Sequence, residues 1–322
     1  MGPSFKAKQL FWLFFAFILF WISPAVLFAS ETAPSVAASS YAWWVWALIL
    51  FVVTIVMGVL AVLGGVGGGV LFVPIISGFF PFHLDFVRGT GLLVALAGAL
   101  AAGPGLLKAN LASLRLAIPV ALIASTFAII GAMIGLALPT HIVQISLGAT
   151  ILGICVLMIT SKKSDVPDVP AADRLSSVLG IYGVYHEASS GKIIDWKIHH
   201  TVLGLTLFIA VGIMAGMFGL GAGWANVPVL NLLMGAPLKI SVATSKFLLS
   251  ITDTSAAWIY MNQGCVLPLM VVPSLVGIML GSFVGVRLLK IAKPTFIRWM
   301  VIGILAFAGI KALTKGLGIS FM

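Results

Sequence analysis

The sequence predicts an all-α polytopic membrane protein with two inverted-topology repeats, each containing a glycine-broken helical hairpin, plus an extra N-terminal apolar helix. Three observations predict this class. Of the 322 residues, 61% are hydrophobic and only 8% are charged, whereas soluble domains carry about 25% charged residues. Long uncharged stretches alternate with short polar loops. A glycine-rich stretch occurs twice, at an offset of 154 residues that pairs Gly67 with Gly221.

The N-terminal segment, residues 1–40, precedes the repeats. Its apolar run from Leu10 to Ala29 follows Lys6 and Lys8 and contains 20 residues, enough for one membrane crossing. We interpret this run as an uncleaved transmembrane helix, with a signal segment as the alternative. In both cases the positive-inside rule predicts a cytoplasmic N-terminus and an external linker.

The two repeats occupy residues 41–160 and 201–322 and contain matching apolar spans. In the first repeat we predict helices at 42–64, 70–80, 88–107, 116–138 and 142–160. In the second repeat we predict helices at 201–220, 224–236, 241–262, 267–289 and 296–314. Residues 161–200 form a polar cytoplasmic loop, in which the β-rich segments 178–185 and 192–196 flank a Ser/Gly turn and predict a β-hairpin.

The distribution of basic residues predicts that the two repeats have opposite orientations. The loop at 108–115 carries two basic residues, and the equivalent loop at 262–269 carries none. The loop at 138–144 has none, and its equivalent at 292–298 has two. Because basic loops favour the cytoplasmic side, equivalent loops should face opposite sides of the membrane. This is the arrangement of inverted repeats, in which matched helix breaks mark a transporter binding site.

The glycine-rich stretches predict an anion site between two broken helices. Five of the six residues at 64–69 are glycine, and Gly219, Gly221 and Gly223 form the second stretch. Glycine costs a helix about 1 kcal/mol against alanine, and a helix that restarts exposes backbone N–H groups that suit an anion. Close packing of small residues is the alternative. The candidate substrate-binding residues are Gly67, Gly68, Gly69, Val70, Thr90, Gly221, Ala222, Gly223, Trp224, Asn226, Thr244, Ser245 and Lys246.

Three charged residues lie within or close to the predicted spans. Asp253 is deep in a span, where a carboxylate costs about 2.5–3.5 kcal/mol, so it should face the interior of the bundle. It is either a coupling group for H⁺ or Na⁺, or a carboxyl bonded to a neighbouring hydroxyl such as Thr252. Lys246 either binds the anion or extends toward the cytoplasm. We expect Arg88 to be an interfacial anchor, with anion binding as the alternative.

Other functional classes fit the sequence poorly. The net charge of +10 does not indicate nucleic-acid binding, because the basic residues concentrate at span ends and loops. Cys155 and Cys265 lie in apolar spans and support neither a disulfide framework nor a zinc site. His199 and His200 are expected at the membrane interface. An intramembrane enzyme would need a catalytic nucleophile or a cluster of metal ligands, and we identify neither in the sequence. We therefore expect no metal, no cofactor and no catalytic residue.

Both glycine stretches run into a proline, at Pro74 and Pro228, and a later helix opens with Thr244-Ser245. In these motifs the sequence resembles the sulfite exporter TauE/SafE family, over residues 42–315. The resemblance implies a multi-pass transporter of the bacterial inner membrane that exports sulfite or an organosulfonate such as sulfoacetate by alternating access. A small-anion channel, or an uptake permease for organosulfonates, carboxylates or inorganic anions, is the alternative. The expected partners are the anion and the lipid bilayer, and a homodimer is compatible with the sequence.

Overall fold

The protein is a bundle of apolar helices, here seen in a computed structural model. The structure describes residues 43–64, 67–80, 82–108, 112–160, 167, 169, 171–187, 192–288 and 294–318. The predicted N-terminal helix and its linker, residues 1–40, lie outside the described residues. The helices of the first repeat are α1 (Trp43–Gly64), α2 (Gly68–Phe79), α3 (Leu84–Lys108), α4 (Leu114–Ala137) and α5 (Thr140–Thr160).

The second half of the chain begins with a polar segment and then repeats the helical pattern. The polar segment contains α6 (Arg174–Val178), β1 (Tyr182–Glu187) and β2 (Lys192–Lys197). The helices that follow are α7 (Thr201–Phe218), α8 (Gly223–Pro228) with a π-helical turn (Val229–Leu233), α9 (Leu238–Asn262), α10 (Pro268–Leu288) and α11 (Pro294–Gly316). In the described part of the chain, α1, α3, α4, α7 and α10 are long and apolar enough to cross a membrane. The prediction of an all-α polytopic membrane protein is confirmed.

The helix boundaries follow the 154-residue offset. Helices α3, α4 and α5 begin at residues 84, 114 and 140, and α9, α10 and α11 begin at residues 238, 268 and 294. The packing is also reciprocal: α1 packs against α10, and α7 packs against α4. The equivalent helices α3 and α9 pack against each other, as do α5 and α11. Reciprocal packing of this kind is expected of two halves related by a pseudo-two-fold axis. Their orientation relative to the membrane stays a prediction.

Two of the helix crossings between the repeats depend on glycine. A Cβ atom placed on Gly281 of α10 would lie 2.1 Å from the carbonyl oxygen of Ile55 in α1. At the equivalent crossing, a Cβ atom on Gly216 of α7 would lie 2.0 Å from the carbonyl oxygen of Ala128 in α4. Without side chains at these positions the helix backbones can approach each other closely, which is a common way to gain packing energy in a membrane.

The polar segment is tied to the helical bundle by Asp173. Its carboxylate accepts a hydrogen bond from the Ser176 amide (2.9 Å) and so caps the N-terminus of α6. It also accepts a hydrogen bond from the Thr201 amide (2.8 Å) at the start of α7. Burial alone would raise the pKa of Asp173, but the hydrogen bonds from Ser176 and Thr201 outweigh it and lower the pKa to about 2. The antiparallel hairpin begins at Tyr182, later than predicted, because this capping places Val178 in α6.

Arg88 is buried inside the bundle, so the expectation of an interfacial anchor is wrong. Its side chain is 2% exposed. Nη1 donates to the carbonyl oxygens of Gly135 in α4 and Met217 in α7, both at 2.9 Å. Nη2 donates to the Asp85 carboxylate, and the guanidinium carbon lies 5.6 Å from the ring centroid of Tyr260 in α9. Arg88 therefore links four helices of both repeats, which explains its burial without invoking a ligand.

The glycine at the α1–α10 crossing can be tested with a matched pair of variants. Gly281→Ala should lower the free energy of unfolding in detergent by about 1–3 kcal/mol, because the added methyl group would overlap the Ile55 carbonyl. Gly153→Ala is the control, since Gly153 is exposed and its Cβ would meet nothing within 4 Å. Thermal unfolding followed by tryptophan fluorescence provides the measurement. Equal stability of the two variants would contradict the close crossing.

The role of Arg88 can be tested in the same way. Arg88→Gln should lose about 3 kcal/mol of stability, because it leaves buried carbonyl groups and the Asp85 carboxylate without their cation. Arg115→Gln is the control, because Arg115 is exposed and makes one long hydrogen bond, 3.3 Å, to the Gly180 carbonyl. Its effect should stay within about 0.5 kcal/mol. A loss of similar size in both variants would contradict the structural role of Arg88.

Candidate functional site

The two glycine-rich breaks contact each other through their backbones. Helix α1 ends at Gly64, and α2 starts after Gly67, whose backbone is extended (φ −66°, ψ 147°). A Cβ atom placed on Gly223, the first residue of α8, would lie 3.1 Å from the nitrogen and 3.2 Å from the Cα of Gly67. We call this contact between residues 67–70 and 219–226 the junction.

The second break requires glycine for its backbone conformation. Helix α7 ends at Phe218 and is capped by Gly219, which has φ +68°, and Gly221 follows with φ +69°. Residues with a side chain seldom adopt this left-handed region. Space is limited as well, because a Cβ on Gly219 would lie 2.4 Å from the carbonyl oxygen of Arg88. The chain can therefore turn out of α7 and restart at Gly223 only with small residues in these places.

The first break packs tightly under the second. A Cβ on Gly69 would lie 2.6 Å from the carbonyl oxygen of Leu220 and 2.8 Å from that of Gly91 in α3. The first backbone amides of an α-helix have no carbonyl partner within the helix. In α2 this leaves the amides of Gly68 and Gly69 available as hydrogen-bond donors. The amide of Val70 donates to the Gly67 carbonyl at 3.2 Å. Val70 was expected to offer its amide to the anion, and the structure shows that this amide is already used.

Several polar side chains near the junction are buried without a hydrogen-bond partner in the described part of the chain. A buried polar group without a partner costs about 1–3 kcal/mol, so a cluster of them indicates a binding site. Thr90 is 0% exposed, and Asn226 and Asp253 are 1% exposed. The atoms without a partner are Thr90 Oγ1, Trp224 Nε1, Asn226 Oδ1 and Nδ2, and Asp253 Oδ2.

Asp253 contacts the second break directly. A Cβ on Gly221 would lie 2.8 Å from Oδ2 and 3.1 Å from Oδ1 of Asp253. The backbone amide of Ala222 faces the carboxyl group, and the Thr252 hydroxyl lies 3.4 Å from Oδ1. Lys246 is half-buried on the same helix, two turns earlier, and its charge attracts that of Asp253. The carboxyl group is therefore part of the wall of the junction.

The other residues predicted on α9 lie away from solvent. Thr244 and Ser245 are buried. The Thr244 hydroxyl oxygen accepts a hydrogen bond from the Ser113 amide at 3.1 Å, so this residue links the start of α9 to the N-cap of α4. The hydroxyl of its equivalent in the first repeat, Thr90, has no hydrogen-bond partner among the described residues. Because accepting the bond from Ser113 does not use the O–H of Thr244, both threonines stay candidate donors to an anion.

Three apolar residues at the junction were missed by the sequence analysis. Leu249 Cδ1 lies 3.7 Å from the Cβ position of Gly67 and 3.2 Å from that of Gly223. Ala95 lies 3.3 Å from the Cβ position of Gly221, and Ile278 lies 3.2 Å from that of Gly68. The only signal was helical spacing, because Leu249 precedes Asp253 by one turn on the same face of α9.

The described residues contain no group of three or more His, Cys, Asp or Glu side chains that could hold a metal ion. His199 and His200 have ring centroids 4.3 Å apart at the end of the polar segment. The polar features of the junction are therefore hydrogen-bond donors, backbone amides and one carboxyl group. This set of groups can bind an anion and exchange a proton.

Comparison with known proteins agrees with this description. The sequence model of the family described as "Sulfite exporter TauE/SafE" matches residues 49–312, which include both breaks. The chain is also 34% identical over 62 residues to the probable membrane transporter protein YunE of Bacillus subtilis (strain 168), a match to 19% of this chain and 23% of that protein. No solved structure matches. Because the family match covers most of its length, the chain belongs to the sulfite exporter TauE/SafE family of membrane transporters.

Proposed function

We propose that this protein is a secondary transporter that exports a small sulfur-containing anion by alternating access. The anion is sulfite or an organosulfonate such as sulfoacetate, and the membrane is the bacterial inner membrane. The N-terminus and the polar segment would lie on the cytoplasmic side. The observation that carries the proposal is the junction, where two broken helices meet and buried polar side chains have no partner in the described residues.

The balance of hydrogen-bonding groups at the junction supports an anion. The Thr90 hydroxyl, the Asn226 amide and the Trp224 indole are donors without a partner in the described residues. The first amides of α2 add backbone donors and the positive end of a helix dipole. Lys246 adds a positive charge on α9. The oxygens of a sulfonate or sulfite would accept these hydrogen bonds, and the name of the family supports a sulfur-containing anion.

The burial of the junction supports a carrier. Gly67, Gly69, Gly221 and Gly223 are buried, so an anion bound beside them would be enclosed by protein. To enter and leave, it needs a rearrangement that opens one side at a time. The reciprocal packing of α1 on α10 and α7 on α4 offers two units that can rock against each other. A channel would instead need a continuous path through this region.

Ligand-induced stabilisation tests the substrate class. In detergent, sulfite, sulfoacetate or taurine at about 100 times its Kd should add about 2.7 kcal/mol of stability, seen as a raised thermal unfolding temperature. Carboxylates of similar size should stabilise the protein less. If carboxylates stabilise it as strongly as sulfonates, the proposal of a sulfur-containing anion is wrong.

The matched variants for this assay are Gly67→Ala and Gly67→Leu. A Cβ at Gly67 would lie 3.7 Å from Leu249 Cδ1, an ordinary contact, so alanine should keep binding. A leucine side chain would fill the junction and should abolish stabilisation by the anion while the protein still inserts. Gly153→Leu controls for a bulky residue on an exposed helix surface. Unchanged affinity in Gly67→Leu would place the binding site elsewhere.

Counterflow in liposomes distinguishes the carrier from a channel. A carrier should accelerate uptake of labelled sulfonate when unlabelled sulfonate is present inside, because the loaded site returns faster than the empty one. The rate should saturate with substrate concentration. A flux that is not stimulated from the opposite side and does not saturate would indicate a channel.

A further inference from the structure

We propose that the transporter binds one proton together with its anion, and that Asp253 holds this proton at the junction. The inference rests on the proposed function and specifies its coupling ion. Asp253 lies on α9, is 1% exposed and has one carboxyl oxygen, Oδ2, without a partner in the described residues. Both oxygens lie against Gly221, in the break itself. The group is therefore in the region that the anion would occupy.

The surroundings of Asp253 favour a proton over a sodium ion. The polar groups that face the carboxyl are the Ala222 amide, the Thr252 hydroxyl and, two turns earlier, the Lys246 ammonium. The amide and the ammonium present hydrogen atoms with positive partial charge, which repel a metal cation. The nearby carbonyl oxygens of Gly219 and Leu220 lie against Gly91 and Gly69, in tight backbone contacts. A sodium ion needs several oxygen ligands that converge on it, whereas a proton needs only the carboxylate.

The charges around the junction couple the proton to the anion. From its own helix, Asp253 faces the positive charge of Lys246. From the second break it faces Gly221 and Ala222, and from α3 it faces Ala95. The described charges of α3 on this side, Arg88 and Asp85, pair with each other and meet α9 two turns away, at Tyr260. With Asp253 ionised, it cancels the charge of Lys246 and repels an incoming anion. With Asp253 protonated, Lys246 remains as a net positive charge and attracts the anion.

This coupling has a defined direction. Because protonation favours the anion, the anion must favour protonation to the same extent. The proton passes from water to a carboxylate oxygen of Asp253 as the anion binds, and it returns to water on the other side as the anion leaves. A sulfonate with one negative charge would therefore cross together with one positive charge, in the same direction and without net charge movement. Because the proton and the anion move in the same direction, export requires an outward anion gradient that exceeds any inward proton gradient.

The test compares anion affinity across pH in the full-length protein and in Asp253→Asn. The ligand is 2-hydroxyethanesulfonate, whose charge is constant from about pH 5.5 to about pH 8.5. In the unmodified protein, Kd should rise by about tenfold or more toward alkaline pH, within the usual range of coupling between two sites. In Asp253→Asn, which mimics the protonated acid, Kd should stay at the low-pH value throughout. Asp195→Asn, on the exposed face of β2, is the control and should keep the full pH dependence.

A second measurement needs no variant. Calorimetry in two buffers with different enthalpies of protonation counts the protons taken up when the anion binds. Uptake should be largest in the pH range where Kd changes, at about half a proton per anion for a tenfold total change in Kd and closer to one for a larger change. No uptake at any pH, a proton release, or a pH dependence that persists in Asp253→Asn would overturn the role of Asp253, and the last result would point to Lys246. Tighter binding in sodium than in potassium would overturn the proton in favour of sodium.

The outcomes separate this inference from the proposed function. If the protein binds the sulfonate with a pH-independent Kd, the anion site stands and the proton site is wrong. If it binds no sulfonate at any pH, with or without the Asp253→Asn substitution, the proposed function fails, and the proton site fails with it.

Discussion

The fold depends on how the protein satisfies irregular backbone at the centre of a membrane bundle. Lipid cannot pair with exposed N–H and C=O groups, so a broken helix persists only where protein or a polar cavity covers it. Here each break is covered by the other, through the contact between Gly67 and Gly223, and by α3 through Gly91. Because glycine has no side chain, the two backbones can come close enough to do this. The same contact creates a polar surface deep inside an apolar bundle.

The two repeats share a scaffold but differ in their charges. At the 154-residue offset, Thr90 corresponds to Thr244, and the glycines of the two breaks correspond to each other. The charged residues have no such counterparts: Arg88 corresponds to Val242, and Asp253 corresponds to Ala99. The repeated part of the sequence thus builds the junction. The unrepeated residues add an arginine that joins four helices and a carboxyl group that faces the break.

Much of the fold could be predicted because its signals are local. Apolar runs, glycine stretches and the constant offset placed the helix boundaries to within a few residues, and the repeated glycines indicated where two breaks would meet. The burial of Arg88 could not be predicted, since its carbonyl partners Gly135 and Met217 lie 47 and 129 positions away. The hydrogen bond of the Val70 amide to the Gly67 carbonyl depends on the local turn geometry, and the contacts of Leu249 depend on helix packing. A single sequence shows neither the turn geometry nor the packing.

The central claim is that a small anion binds where the two broken helices meet. A cryo-electron microscopy map of the protein with a bound sulfonate tests it most directly. We expect density for the anion beside the contact between Gly67 and Gly223, within hydrogen-bond distance of Thr90 or Asn226. Density for the anion far from both breaks, or glycine-rich stretches that lie within continuous straight helices, would contradict it.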